Sequence, residues 1–164
     1  MCLPLRDEIT PSCYANHATA AERFVIEARG WVGTPFEYGR SNKGVACDCI
    51  GLVLGCATAI GKPFPYLPNY PENPTGTCVY DWCKANLWQR AIEDRKPGDI
   101  LLFRCPIDPT HFGIFTGYGV IHSINTGRRL PEIPEKTCCV VEHMLTEKWV
   151  RRIYAVFSIP GLEG

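Results

Sequence analysis

The chain has no excess of either charge: 17 Lys and Arg are matched by 17 Asp and Glu over 164 residues. Bulk charge therefore does not draw it to nucleic acid or to an acidic membrane surface, and neither is expected as a partner. Long apolar runs are missing too. No stretch approaches the ~20 residues that span a bilayer. The opening "MCLPLRDEITPS" lacks an apolar h-region, so the expectation is a chain made in the cytoplasm without a signal peptide. Internal repeats and low-complexity segments are absent, and 164 residues suit one domain, 1–164, with one substantial core. There is no C-x-x-C pair and no H-x-x-x-H. Their absence removes the usual thiol redox motif and a common helical zinc pattern, and no metal or cofactor is expected.

Cysteine, by contrast, is plentiful, with ten in the chain. Without an export signal these read as mostly reduced, partly buried thiols rather than a disulfide framework. Cys138 and Cys139 are adjacent, a poor geometry for joint tetrahedral ligation.

The apolar pattern changes character along the chain. Ala21, Phe24, Val25, Ala28 and Trp31 follow helical spacing and predict a helix over about 18–31. A second helix is expected from about Cys49 to Ile60, stopped by Gly61. Its apolar residues cover most of its circumference, so it reads as a central, buried helix. "GKPFPYLPNYPENPTG" predicts an extended surface loop, either a wall of a substrate cleft, a partner surface or a passive connector. A short helix is expected over about 79–88, with Val79, Trp82, Cys83 and Leu87 on one face. After the turn "RKPGD" the runs "ILLFRC", "HFGIFTG", "VIHSIN", "CCVVEH" and "RIYAVFSIP" are short, β-branched or aromatic, and predict an antiparallel meander. Helices followed by strands give an α+β domain.

The chemistry is expected at "GVACDCIGLVLG". Cys49 falls in the first turn of the buried helix, with Asp48 as its N-cap. A helix N-terminus favours thiolate, the reactive form of cysteine. Gly51 keeps the next turn small, so that a substrate could approach closely. The alternative is a cysteine that merely packs. A nucleophilic cysteine needs a base, and the chain offers four histidines. His17 and His143 read as surface residues. His111 begins a strand beside Gly113, which leaves room for a ligand or another chain. His122, in the next strand, could orient His111. A tight turn at Tyr118-Gly119 would put both on one sheet face but roughly 13 Å apart, at ~3.3 Å per residue. Contact would then require a looser turn or a bulge. Asn125 is a second candidate orienter, which the same register places on the other face.

Four segments in order, "GTPFEYG", "DCIGLV", "KPGDILLF" and "HFGIFTGYGVIHS", resemble the motifs of the NlpC family of papain-like cell-wall cysteine peptidases: G-T-P-[YF]-x-[YW]-G, D-C-S-G-L-V, [RK]-P-G-D-[LI]-[VL]-F-F and H-V-G-I-Y-x-G-x-G-x-x-I-H-A. The resemblance covers about residues 30–125. It implies a papain-like α+β fold, with the nucleophile at a buried helix N-terminus packed on about five to six mainly antiparallel strands. By position, Cys49 aligns with the nucleophile, His111 with the base, His122 with the third polar residue, and Tyr38 with a tyrosine that shapes the site. The main-chain N–H of Cys49 would be one oxyanion donor. Ile50 replaces the family serine, and Cys47 is an addition, either a bystander or a thiol that pairs under oxidation. "GVACDCIGLVLG" looks most like a phage-tail or gene-transfer-agent branch.

The resemblance implies a peptidase or amidase that cuts peptidoglycan stem peptides at a D-γ-glutamyl–diamino acid bond through an acyl-enzyme. The partners it implies are a peptidoglycan peptide and phage-tail proteins. The alternative is a tail assembly component that keeps the fold with little or no hydrolysis. Lipid acyltransferases related by permutation place histidine before cysteine. Here Cys49 precedes His111, which ranks that reading low.

Overall fold

A computed structural model describes residues 18–62, 64, 65, 67, 69–126 and 138–162. Helix α1 (Ala20–Arg29) starts at a capping box, in which Thr19 and Glu22 each satisfy the other's main-chain N–H. It buries Ala21, Phe24, Val25 and Ala28, the residues its spacing picked out. A small hairpin follows, β1 (Ser41–Asn42) with β2 (Ala46–Cys47). Helix α2 (Cys49–Ala59) comes next, then α3 (Cys78–Asn86) and β3 (Trp88–Arg90). The remaining elements are β4 (Ile100–Arg104), β5 (Pro109–Phe115), β6 (Gly119–Asn125), β7 (Cys138–Met144), α4 (Glu147–Val150) and β8 (Ile153–Ser158).

The main sheet has six strands in the order β3-β8-β4-β5-β6-β7, with every neighbouring pair antiparallel. This is the expected α+β architecture, with one difference. The meander holds only from β4 to β7; β8 returns across the sheet and inserts between β3 and β4. The uninterrupted apolar run "ILLF" explains why β4 is central. Ile100 and Leu102 face the core shared with α1, α2 and α3, while Leu101 and Phe103 face a second core built around Trp149, Ile153 and Val156. Short α4 and β3 carry too little periodicity to be read from sequence. Among the described residues, no helix is long and apolar enough to cross a membrane.

The motif "KPGD" has a structural reason. Asp99 is 4 % exposed, accepts from the Lys96 main-chain N–H at 2.7 Å and the Ser158 hydroxyl at 2.5 Å, and lies 3.1 Å from the Arg90 guanidinium. One buried carboxylate thereby ties the turn before β4 to β3 and β8.

Candidate active site

Helix α2 is buried nearly all round, as its composition demanded, and this holds its N-terminal end still. Asp48 is its N-cap: Oδ1 accepts from the Gly51 N–H at 2.7 Å. The same carboxylate, 3 % exposed, also accepts from the Gly39 N–H at 2.7 Å and from the Tyr70 hydroxyl at 2.5 Å. Three donors offset the cost of burying this charge. They also knit together the helix end, the "GTPFEYG" segment and the loop that carries Tyr70. Tyr38 completes the clasp: its hydroxyl donates to the Tyr70 carbonyl, and the two rings meet edge to face at 5.5 Å.

The loop after α2 is therefore more than a passive connector. Tyr70, Pro71, Glu72 and Asn73 form one wall of a cleft of about 450 Å³ that Cys49 and His111 also line.

Room at the two glycines serves the protein's own packing. A Cβ on Gly51 would lie 1.8 Å from the Arg40 carbonyl oxygen, so the close approach expected of a substrate is made by the chain itself. Gly51→Ala is expected to cost about 3 kcal/mol through this clash, read as a lower Tm by thermal unfolding. At Gly113 a Cβ would meet Val120 at 2.5 Å and the Phe103 ring at 3.0 Å. The space there is filled by these side chains and is not open to a ligand.

The two strand histidines are in contact. His111 Nε2 lies 2.8 Å from His122 Nδ1. The tight turn assumed at Tyr118-Gly119 sits one residue earlier, closed by the Thr116 N–H donating to the Gly119 carbonyl oxygen at 3.0 Å, and β5 pairs with β6 through Ile114↔Ile121 and Phe115↔Val120. This register puts His122 across from Gly113, two residues from His111 and on the same face. The pairing stops at Ile114, so the strands part toward His111 and the imidazoles occupy the gap. The main-chain N–H of Phe112 bonds the Cys49 sulfur, which places the thiol beside the residue that follows His111. Asn125 lines the same cleft, but its side-chain oxygen accepts from the Cys138 thiol at 3.2 Å.

Sequence reasoning missed His143. Read as a surface residue, it instead lies with Nε2 2.9 Å from His122 Nε2, while its Nδ1 is 2.8 Å from the Met144 carbonyl oxygen. It ends a strand-like run with nothing local to mark it, and only the β6–β7 register, Val120↔His143, brings it to His122. Trp149, from the short helix α4, packs 5.1 Å from both His122 and His143. Arg152 lines the cleft with its guanidinium 5.5 Å over Trp149, and it too had no sequence signal. The three rings are strung in a line and do not converge on a point. Among the described residues, no group of three or more His, Cys, Asp or Glu is placed to hold a metal ion. His17 lies outside the described residues.

The electrostatics depart from expectation. Burial, then the neighbouring Asp48 carboxylate, push the Cys49 thiol up to about 12, against the lowering effect of the Phe112 N–H. Desolvation outweighs the helix end that was expected to favour thiolate. His111 is pushed down to about 4 by burial, with Arg152 and His143 adding to the effect. His122, fully buried, is lowered well below the usual range by the same desolvation and by its histidine neighbours. Thiol and imidazole therefore rest neutral together.

Stability should follow. Both histidines have a folded pKa below the unfolded ~6.5, so their stabilising contribution is complete above pH 6.5 and is lost as pH falls toward 4. Chemical denaturation at pH 7.5, 6 and 5 is expected to show a falling unfolding free energy. Cys47 is a free thiol packed in the core, as the eight described cysteines are all free.

No protein-family model matches the sequence, and no curated protein matches it. Solved structures do. The peptidoglycan hydrolase RipB of Mycobacterium tuberculosis superposes with a TM-score of 0.60 at 16% identity, over 100% of this chain and 74% of that one. The NlpC/p60 domain of the peptidoglycan hydrolase SagA gives 0.54 at 17%, over 85% and 98%. A lipoprotein-like NLP/P60 protein from Staphylococcus aureus gives 0.57 at 16%, over 85% of this chain and 41% of its own. The chain has the NlpC/P60 fold. It spans about two fifths of the S. aureus protein but nearly all of the SagA domain, so the match is to the NlpC/P60 unit. In this chain the NlpC/P60 fold carries Cys49 at the start of α2 and His111 at the start of β5, both on one cleft.

Proposed function

We propose that this chain is a cysteine peptidase or amidase that hydrolyses peptidoglycan stem peptides at a D-γ-glutamyl–diamino acid bond. The observation that carries the reading is the shared cleft: it is lined by the Cys49 thiol at a helix end and by His111, whose imidazole is itself bonded to a second imidazole.

The resting pair is neutral, so proton transfer accompanies attack. His111 takes the Cys49 proton as the sulfur adds to the amide carbon. The main-chain N–H of Cys49, at the free end of α2, is one donor for the oxyanion. Imidazolium then protonates the leaving amine, and water, activated by His111, releases the acid. The electron pair of the S–C bond returns to sulfur, and the sulfur regains its proton.

The sequence "GVACDCIGLVLG" supports assignment to a phage-tail branch, with tail proteins as partners and a phage or phage-like tail as its setting. A second reading is a tail component with little or no hydrolysis; the burial that pushes the Cys49 thiol up works against a standing thiolate.

Incubation of the full chain with muropeptides of defined stem sequence, followed by mass spectrometry of the products, tests both. Release of a fragment beginning with the diamino acid supports the peptidase. Intact stems under conditions that keep the protein folded support the assembly role.

The pH profile is a further expected result. With His111 neutral down to about 4, the acid limb of kcat/KM should lie well below the ordinary histidine value of ~6.5, and activity should persist at pH 5.

A further inference from the structure

We propose that His143 is a positioning residue that sets the tautomers of His122 and His111 and so leaves His111 Nδ1 free to act as the base. The inference rests on the reading of His111 as the base of Cys49.

The proton order starts at the far end of the line of rings. His143 Nδ1 is 2.8 Å from the Met144 carbonyl oxygen. A carbonyl only accepts, so Nδ1 of His143 carries the hydrogen. In neutral His143, Nε2 is then a lone pair. It lies 2.9 Å from His122 Nε2, which must donate. His122 is fully buried, an environment that favours the neutral ring, so its Nδ1 is in turn a lone pair. That lone pair faces His111 Nε2 at 2.8 Å, and His111 donates through Nε2. The lone pair of neutral His111 is left on Nδ1. One main-chain oxygen thus propagates a single proton order through three rings.

Without an acceptor at His143, the buried Nε2–H of His122 has no partner. The alternative tautomer, with the hydrogen on Nδ1, then competes. In that state His122 donates to His111 Nε2, His111 carries its hydrogen on Nδ1, and it cannot take a proton from Cys49 there. Orientation of the His122 ring would survive, since Trp149 packs against it in either case. What His143 contributes is the direction of the hydrogen bonds.

The test is a long-range ¹H–¹⁵N spectrum of the imidazoles in the full-length wild-type chain at about pH 7, with rings assigned through His→Gln variants. Expected are hydrogens on Nε2 of His111 and His122 and on Nδ1 of His143. A hydrogen on Nδ1 of His111 or Nε2 of His143 overturns the proposal, and this readout needs neither activity nor a stable variant. His143→Leu is expected to lower kcat at least about tenfold with KM within about twofold, and to give His111 mixed tautomers. His143→Gln, whose amide oxygen can accept from His122, is expected to recover kcat to within about threefold of wild type. An unchanged kcat and an unchanged His111 spectrum in a folded His143→Leu chain would also overturn it. If wild type cleaves no muropeptide, the proposed function fails, while the spectrum still decides the proton order.

Discussion

Cys49→Ala is expected to bring hydrolysis of peptidoglycan stem peptides to background, a loss of at least about 10³-fold in kcat. Among the described residues, the thiol is the only nucleophile placed at the end of α2, and it lines one cleft with the proposed base. Neither neighbour can substitute for it. Ile50 is apolar, and Asp48 has its carboxylate committed to Gly51, Gly39 and Tyr70. The fold should be almost indifferent. Cys49 is only partly buried, and losing one sulfur atom there should shift stability by about 1 kcal/mol or less. The measurement is product formation from a defined muropeptide, paired with a thermal melt. In the wild type, rapid quenching should trap an acyl-enzyme whose added mass equals that of the acyl fragment. Undiminished hydrolysis by a folded Cys49→Ala chain would remove Cys49 from the mechanism.

The second large effect is expected at Asp48, and it has two signs. Asp48→Ala leaves the Gly51 and Gly39 N–H groups and the Tyr70 hydroxyl without their acceptor. Each buried orphan costs about 1–3 kcal/mol, so a loss of about 3 kcal/mol or more is expected by chemical denaturation. The loop bearing Tyr70 should loosen with it, since Tyr38 alone would hold it.

Asp48→Asn separates geometry from charge. The amide can keep the cap to Gly51 while removing the negative charge that helps push the Cys49 thiol up. The thiol pKa should therefore fall, and the thiolate fraction at a given pH should rise. At any pH well below the pKa, lowering the pKa by one raises that fraction about tenfold. Iodoacetamide labelling of Cys49, followed by mass spectrometry, should be slow in wild type at pH 6, rise with pH, and be several-fold faster in Asp48→Asn. Equal rates in the two chains would mean that burial alone controls the thiol.

Asp48 also explains why this site is demanding to build. A carboxylate is the best available acceptor for three converging donors, and no neutral side chain could satisfy them all. The same charge works against thiolate. In the proposed mechanism the thiol stays neutral until His111, neutral itself, receives its proton at the moment of attack.

A good deal of this protein is legible along the chain alone. Amphipathic spacing placed α1, continuous apolarity identified α2 as buried, and short β-branched or aromatic runs found β4 to β8 except for the return of β8. The placement of Asp48 as N-cap, immediately before Cys49, put the thiol at a helix end. These features are local, set by the period of the backbone, and the order of the four motifs pointed to the papain-like fold. The remainder depended on how distant segments meet. Histidine contacts depend on strand register, and a turn placed one residue earlier than assumed brings His122 to His111. His143 and Trp149 reach the same point from a neighbouring strand and from a four-residue helix with no periodic signal. Whether Gly51 and Gly113 admit a ligand or the protein's own atoms is a matter of what lies across from them. The protonation of Cys49 was beyond the sequence for the same reason. The helix end that favours thiolate is local and legible, but the desolvation that outweighs it is the summed effect of every element that closes over the site.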